Sequence, residues 1–333
     1  LWVGGAVSVV LTTLILFLSF ADWNALRGPI SRFASAATGR EITIRGDLDV
    51  DPWRLNPLIR VEGLHIGNPA HYRERDEEFA IVERAEATVR WLPLFAGNLD
   101  FVRLDLNGAD INLYRNAEGL SNWSSPSRAA QGRQFNLPAI RYFSLNGGKI
   151  RFQDDKRNMV LEATFSTRES RDAADPGEFA LMGEGEINNR PFNIELTGAP
   201  LLNVRRDRPY AFQADVTAGG THITASGAIT RPFNFSNWHA DVRGAGPDLA
   251  DLYPLIGLAL PNTPPYTLTG RVERRGQTYG MPNVAGRVGD SDLSGAFTAT
   301  RRANDRLFLD GDFRSNSLDF DDLMTVLGGA PST

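Results

Sequence analysis

From about residue 40 onward the chain alternates apolar and polar positions. In "EITIRGDLDV", Ile42 and Ile44 share one side of an extended segment, and Thr43 and Arg45 the other. In "AIVERAEATVRWLPL", Ala85, Ala87, Val89 and Trp91 alternate with Glu86, Thr88 and Arg90. A period of two is the mark of a half-buried strand. The pattern returns in "IRVEGLHIGNP", "MVLEATFST", "YTLTGRVERRG", "SDLSGAFTATRR" and "RLFLDGDFRS". Phe192, Ile194 and Leu196 oppose Asn193, Glu195 and Thr197; Phe212, Ala214 and Val216 oppose Gln213, Asp215 and Thr217. Val102, Leu104 and Leu106 lead into Asn107-Gly108 and then Ile111 and Leu113, which predicts a hairpin turn at the Asn-Gly pair. Asn146-Gly147-Gly148 predicts a second turn. At ordinary hairpin spacing the chain holds roughly 15 to 20 strands.

Three stretches have helical rather than alternating periodicity. In 22–40, Asp22 is placed to cap a helix, Leu26, Ile30, Phe33 and Ala37 recur at helical spacing, Pro29 predicts a kink, and Gly39 ends the helix. "PDLADLYPLIGLAL" and "DFDDLMTVLGG" each open with Asp near the first turn. Residues 1–21, "LWVGGAVSVVLTTLILFLSFA", carry no charge. A helix of about 20 residues rises about 30 Å, the thickness of a bilayer core. This favours an uncleaved anchor; the competing reading is a secretory signal with Ser19-Phe20-Ala21 as its cleavage site. Residues 124–134, "SSPSRAAQGRQ", have linker composition. The expected organisation is an anchor at 1–21, an α+β domain at 22–123, the linker, and a repeated-hairpin domain at 135–333.

Composition narrows the chemistry. The 333 residues carry a net charge of −5 with Lys and Arg scattered, which speaks against a nucleic-acid partner. With no cysteine, the chain has no disulfide, thiolate metal site or thiol nucleophile. The four histidines, His65, His71, His222 and His239, show no metal-ligand spacing, and the strand pattern places His65 and His222 toward solvent. Carboxylates cluster in "GDLDVD" (46–51), "GDSDLSG" (289–295) and "FDDL" (320–323); a hydrolase would hold such a pair across a cleft, whereas turns and a helix start explain them without catalysis. No nucleophile elbow or phosphate-binding glycine loop is present, so no catalytic residue, metal or cofactor is assigned.

The tetrapeptide Arg-Pro-Phe-Asn occurs at 190–193 and again at 231–234. Each copy follows a Gly-x-Ile and leads into an alternating run, which predicts the same strand–turn–strand unit built twice. An antiparallel sheet with one apolar face needs cover, and the chain beyond residue 95 has few helices to supply it. The sheet therefore either closes on itself or leaves an apolar trough.

Several segments resemble the AsmA family of Gram-negative bacteria. They are "ATGREITIRGDLDV", "LHIGNPAHY" and "AEATVRWLPLFAGNLDFVRLDLNGADINLYRNAEGLSNW". The order is Gly-Arg before a strand, a Gly-Asn-Pro turn, "LPLFAG", and an Asn-Trp ending at Trp123. "LYPLIGLALPNTPPYTLTG" and "VGDSDLSGAFTATRR…LDGDFRSNSLDFDDL" resemble the family's closing region. The resemblance implies a single-pass bacterial inner-membrane protein with a periplasmic body. It also implies kinship with bridge-like lipid-transfer proteins built from repeating β-grooves, and a part in phospholipid transport and outer-membrane homeostasis.

The expected fold is mainly β: a transmembrane helix and a short helix, then a long curved antiparallel sheet forming a taco-like groove. Its expected occupants are phospholipid acyl chains, with Phe192, Ile194, Leu196, Phe212, Ala214, Val216, Ile223 and Ala225 as lining. The alternative is a non-catalytic envelope scaffold that binds outer-membrane assembly factors or other envelope proteins.

Overall fold

The computed structural model describes residues 22–95, 100–123, 139–170, 177–200, 209–231, 234–252, 260–301 and 307–322. The expected anchor at 1–21, the linker at 124–134 and most of the two late helical stretches lie outside the described residues. The structure is mainly β, with 64% of the described residues in strands and few helices. The chain divides into two compact units, one holding residues 1–114 and 120–149, the other residues 115–119 and 150–333.

The first unit opens with a 3-10 turn at Trp23–Leu26 and helix α1 at Arg27–Thr38. The Asp22 carboxylate accepts the Asn24 N–H at 3.1 Å, and Gly39, at φ 71°, closes the helix by donating to the Ser35 carbonyl. Pro29 falls in the first helical turn, where its missing N–H is not needed, and the helix runs through it. Leu26 of the 3-10 turn and Ile30 and Phe33 of the helix, which recur at helical spacing, are exposed.

Strands β1 (Ile42–Ile44) and β2 (Leu48–Asp51) both pair antiparallel with β3 (Leu58–Ile66), which pairs with β4 (Ala80–Val89). A short helix α2 (Trp91–Phe95) leads to β5 (Asp100–Arg115), whose other neighbour is β6 (Ala139–Asp154). Leu48, Leu58, Val82, Ala85, Val89, Ala109, Phe143 and Leu145 are among the buried apolar side chains of this unit; of the alternating set Ala85, Ala87, Val89 and Trp91, Ala85 and Val89 are buried and the other two half-buried.

The two predicted Gly turns in this unit are not turns. Asn107-Gly108 sits inside the sixteen-residue β5, and Asn146-Gly147-Gly148 inside β6. Gly63, Gly108 and Gly147 have φ of 60°, 63° and 65°, a conformation that costs an L side chain energy. Gly63 and Gly108 flank Glu83 of β4 in register, and the N–H of Gly108 lies 4.0 Å from where a Gly147 Cβ would stand. The left-handed glycines line up across adjacent strands, so the sheet is creased along one line while each strand continues. The local signal for a glycine at positive φ is correct; its use is a crease instead of a reversal.

The second unit is an antiparallel meander: β7 (Met159–Ser170), β8 (Gly177–Ile187), β9 (Arg190–Gly198), β10 (Tyr210–Ala218), β11 (Thr221–Arg231), β12 (Asn234–Gly246), β13 (Tyr266–Arg275), β14 (Thr278–Val288), β15 (Ser291–Arg301) and β16 (Leu307–Arg314). Each strand pairs with the next in sequence, and the path ends at β16 without returning to β7. Where "PDLADLY" predicted a helix, the described part is a 3-10 turn at Leu249–Leu252. Its Asp248 carboxylate accepts from Ala250 and Thr263 N–H at 2.9 and 2.8 Å.

The Arg-Pro-Phe-Asn repeat does not mark equivalent hairpins. In the first copy the turn precedes the motif: Asn188 and Asn189 take φ of 50° and 62°, and Ile187 pairs with Arg190. In the second copy Arg231 and Asn234, the first and last residues of the motif, pair with each other. The ladder from β9 through β11 puts the two copies at opposite ends of the strands.

The segments that carry the family resemblance meet at one end of the first unit. Asn122 is 2% exposed and donates from Nδ2 to Asn68 Oδ1 at 3.0 Å and to the Asn112 carbonyl at 2.8 Å; its Oδ1 accepts the Tyr114 N–H at 2.9 Å. Arg40, 82 positions earlier, donates to the Asn122 carbonyl at 2.8 Å, and its guanidinium lies 4.0 Å over the Phe79 ring. Asn68 donates to the Glu77 carbonyl at 2.6 Å, and Tyr72 to the Leu120 carbonyl at 3.0 Å. The Gly-Arg, Gly-Asn-Pro and Asn-Trp motifs therefore form a structural knot. Asn122→Ala strands a buried amide and a buried carboxamide oxygen together. It is expected to lower the stability of the first unit by about 2–3 kcal/mol, read by urea denaturation.

Candidate functional site

In an antiparallel ladder, directly paired residues project to the same side of the sheet. Leu196 pairs with Ala214 and Ala214 with Ala225; Ile194 pairs with Val216 and Val216 with Ile223. Phe192 and Phe212 follow at two-residue steps on their strands. The eight residues expected to line a groove thus share one face of β9, β10 and β11. The same face continues through Leu181 and Phe165 on one side, and through Val242, Leu268 and Val284 on the other. It is an apolar surface that crosses the second unit strand by strand.

Phe192 is buried, 7% exposed, while Ile194, Leu196, Phe212, Ala214, Val216, Ile223 and Ala225 are all half-buried. The interior of a packed sandwich is buried throughout, so this face lacks a packed cover over its middle. Buried residues of this face lie toward the strand ends, at Phe179 and Tyr210 on one side and Ile187, Phe192, Tyr266 and Val288 on the other, and also between them at Ala163, Ala240 and Val284. Glycines of this face sit unusually close to their neighbours. A Cβ on Gly185 would stand 2.1 Å from the Val160 carbonyl oxygen, and one on Gly227 2.1 Å from the His239 carbonyl oxygen. Such crowding marks places where strands bend tightly.

Polar atoms are also trapped here. Tyr210, Thr221 and Tyr266 are buried, and none of their hydroxyls makes a well-formed hydrogen bond. Burial pushes the Tyr210 phenol up to about 12, with the Glu169 carboxylate adding to the shift. Burial also raises the Tyr266 phenol, and the Thr221 hydroxyl beside it pulls in the opposite direction. Both phenols are neutral at physiological pH and unsuited to act as bases.

The opposite face holds a feature that alternation did not reveal. An open cavity of about 950 Å³ is lined there by Glu195, Gln213, Asp215, Asp241, Arg243 and Arg271, among others. Ala214 and Ala225 also reach its wall. Sequence patterning marks these polar residues as the solvent side of their strands; whether such a side is flat or concave depends on sheet twist, which has no single-residue signal.

The candidate catalytic groups resolve into structural contacts. His65, expected toward solvent, has a side chain only 14% exposed and bonds Glu78 at 2.5 Å. His222 does face solvent and pairs with Asp215 at 2.8 Å. His71 bonds the Ser121 carbonyl at 3.2 Å. Among the described residues no cluster of His, Asp and Glu could hold a metal ion.

The carboxylates of "GDSDLSG" and "FDDL" do come together, as a clamp. Asp322 accepts from the Asp290 and Ser291 N–H groups, both at 2.9 Å, and from Ser291 Oγ at 2.8 Å. Asp292 accepts from Asn316 N–H at 2.8 Å, Ser317 N–H at 2.6 Å, Asn316 Nδ2 at 3.0 Å and Ser315 Oγ at 3.0 Å. These donors, led by the Ser317 N–H, hold the Asp292 carboxyl down at about 2. Its folded pKa lies below the ordinary 3.8, so its contribution is complete above that value and is lost as pH falls through about 2. Amide exchange at Asn316 and Ser317 is expected to stay protected at pH 3 and to open toward pH 2. In Asp292→Asn, protection is expected to be weakened at both pH values.

No solved structure matches the chain. The chain is 26% identical to the AsmA family protein YhjG of Escherichia coli (strain K12) over 367 aligned residues, which cover 98% of this chain and 53% of that protein. The chain thus spans about half the length of this relative. The model of the AsmA family matches residues 3–162, the stretch that contains α1, the creased sheet and the Asn122 knot. Over those residues, just under half of the chain, the sequence is similar to the AsmA family.

Proposed function

We propose that the chain is a non-catalytic lipid carrier of the bacterial envelope. Residues 1–21 anchor it in the inner membrane, and the apolar face of β7–β16 holds phospholipid acyl chains in the periplasm. One observation carries this reading: a continuous apolar face, half-buried from Ile194 and Leu196 across Ala214 and Val216 to Ile223 and Ala225, on strands whose pairing path stays open. Free energy of about 25 cal/mol per Å² favours covering such a surface, and an acyl chain covers it without demanding hydrogen bonds. The AsmA match and the similarity to YhjG fit a lipid-transport or envelope role. Among the described residues no helix is long and apolar enough to cross a membrane, and the anchor is assigned to residues 1–21 from their sequence alone.

The concave polar face supports a second reading, an envelope scaffold. Its acidic and basic side chains are suited to a protein partner and offer nothing to an acyl chain.

Adjacent residues on one strand separate the two readings, because Val216 projects to the apolar face and Thr217 to the polar one. A photo-reactive amino acid placed at each position, in the full chain in bacterial membranes, is expected to form phospholipid adducts at Val216 and none at Thr217. Protein adducts at Thr217 with no lipid at Val216 would establish the scaffold instead.

A further inference from the structure

Among the described residues the two most exposed large apolar side chains are Leu55 and Leu92, at 92% and 84%, and both lie at the same end of the first unit. Leu55 belongs to the β2–β3 loop, with Trp53 beside it at 58% exposure. Leu92 belongs to α2, which follows β4. The two segments are tied together: Val89 donates its N–H to the Pro57 carbonyl at 3.1 Å, and Leu58 pairs with Thr88.

The loop is braced to present these side chains. Pro52 and Pro57 are buried at its two ends, and proline fixes the backbone there. Asp51 accepts the Trp53 N–H at 3.3 Å and Arg54 Nε at 2.7 Å. A short, proline-braced loop that holds Trp and Leu outward against water has an unfavourable surface unless something apolar meets it.

The chain itself indicates what meets it. Helix α1 runs antiparallel to β1 and β2: Ser35 at its end accepts the Ile42 N–H at 2.8 Å, while Asn24, before its start, accepts the Leu48 N–H at 2.9 Å. Residue 22 therefore arrives beside Leu48, and β2 needs only about 10 Å more to reach Asp51 at the loop. Immediately before residue 22 stand 21 residues without a charge. The headgroup layer on each side of a bilayer is about 5–8 Å deep, so a loop this near the anchor stands at the interface. The rim is compatible with that: Asp51 and Asp100 lie 2.7 and 3.3 Å from the guanidinium groups of Arg54 and Arg90. Arginine stems can lie along lipid while their heads stay wet, and Trp is favoured at the interface.

We propose that Trp53, Leu55 and Leu92 form a tip that inserts into the surface of the bilayer beside the anchor, setting the first unit upright on the membrane. This rests on the reading of residues 1–21 as an anchor. The apolar stripe Leu26, Ile30 and Phe33 offers a competing contact in which the unit lies flat along its helix.

The absence of cysteine makes the test clean. Single variants Leu55→Cys, Leu92→Cys, Phe33→Cys and Arg73→Cys of the full chain are labelled with an environment-sensitive fluorophore. They are placed in vesicles of phosphatidylethanolamine and phosphatidylglycerol containing nitroxide lipid. Arg73 sits at the far end of the unit, in the β3–β4 connection. The expected result is a blue-shifted emission and at least twofold quenching at positions 55 and 92, with position 73 unquenched. Vesicle-bound chain with positions 55 and 92 in water would overturn the tip and leave the anchor standing. Quenching at 33 but not at 55 would overturn it in favour of the flat orientation. Chain that fails to float with vesicles would overturn both the anchor and the tip.

Discussion

Antiparallel pairing between sequence neighbours governs this protein. Each ladder step puts paired residues on the same side, so a strand pattern of period two becomes a two-faced surface as wide as the run of strands. Across ten successive strands, β7 to β16, the ladders keep one apolar and one polar side, with register shifts at Ile229/Arg231, Arg271/Glu273 and Met281/Val284. A single slipped residue would turn Ile194 or Val216 to the polar side and break the surface. The continuity of the apolar face, the trapped tyrosine hydroxyls at its ends and the polar cavity behind it all follow from that register.

The same constraint bears on burial in both units. In the first, large apolar side chains such as Leu48, Leu58 and Val89 are buried, and polar side chains such as Asn68 and Asn122 are knitted into the interior. In the second, residues buried at the strand ends and at Ala163, Ala240 and Val284 are interspersed with half-buried ones. Half-buried apolar side chains occur in the first unit as well, at Leu104, Leu106, Ile111 and Leu113 of β5.

Alternation made the strand content and the sharing of one face by Phe192 to Ala225 legible in the sequence, because period two maps directly onto faces. The glycine signals were legible only in part. Asn107-Gly108 and Asn146-Gly147 mark residues that adopt positive φ, and they do so. A local motif does not say whether the chain reverses there or merely creases, since that depends on neighbours such as Gly63 two strands away. The Arg-Pro-Phe-Asn copies misled for a related reason: one tetrapeptide follows a turn, while in the other the first and last residues pair with each other. His65 turned inward because Glu78, 13 positions later, meets it, a pairing no periodicity encodes. The site's polar cavity was illegible because concavity is a property of many twisted strands together.

The meander order of the second unit also bears on how the chain reaches its folded state. Every ladder from β7 to β16 joins sequence neighbours, so its contacts have short separations and loop closure costs little at each step. Such a unit can be assembled hairpin by hairpin as the chain emerges, without waiting for its C-terminal strands. The first unit cannot: the bond from Arg40 to Asn122 closes a span of 82 positions, so its knot ties only after β5 has emerged. A chain delivered N-terminus first would therefore hold its earliest segment open the longest, while each later strand finds a partner already waiting.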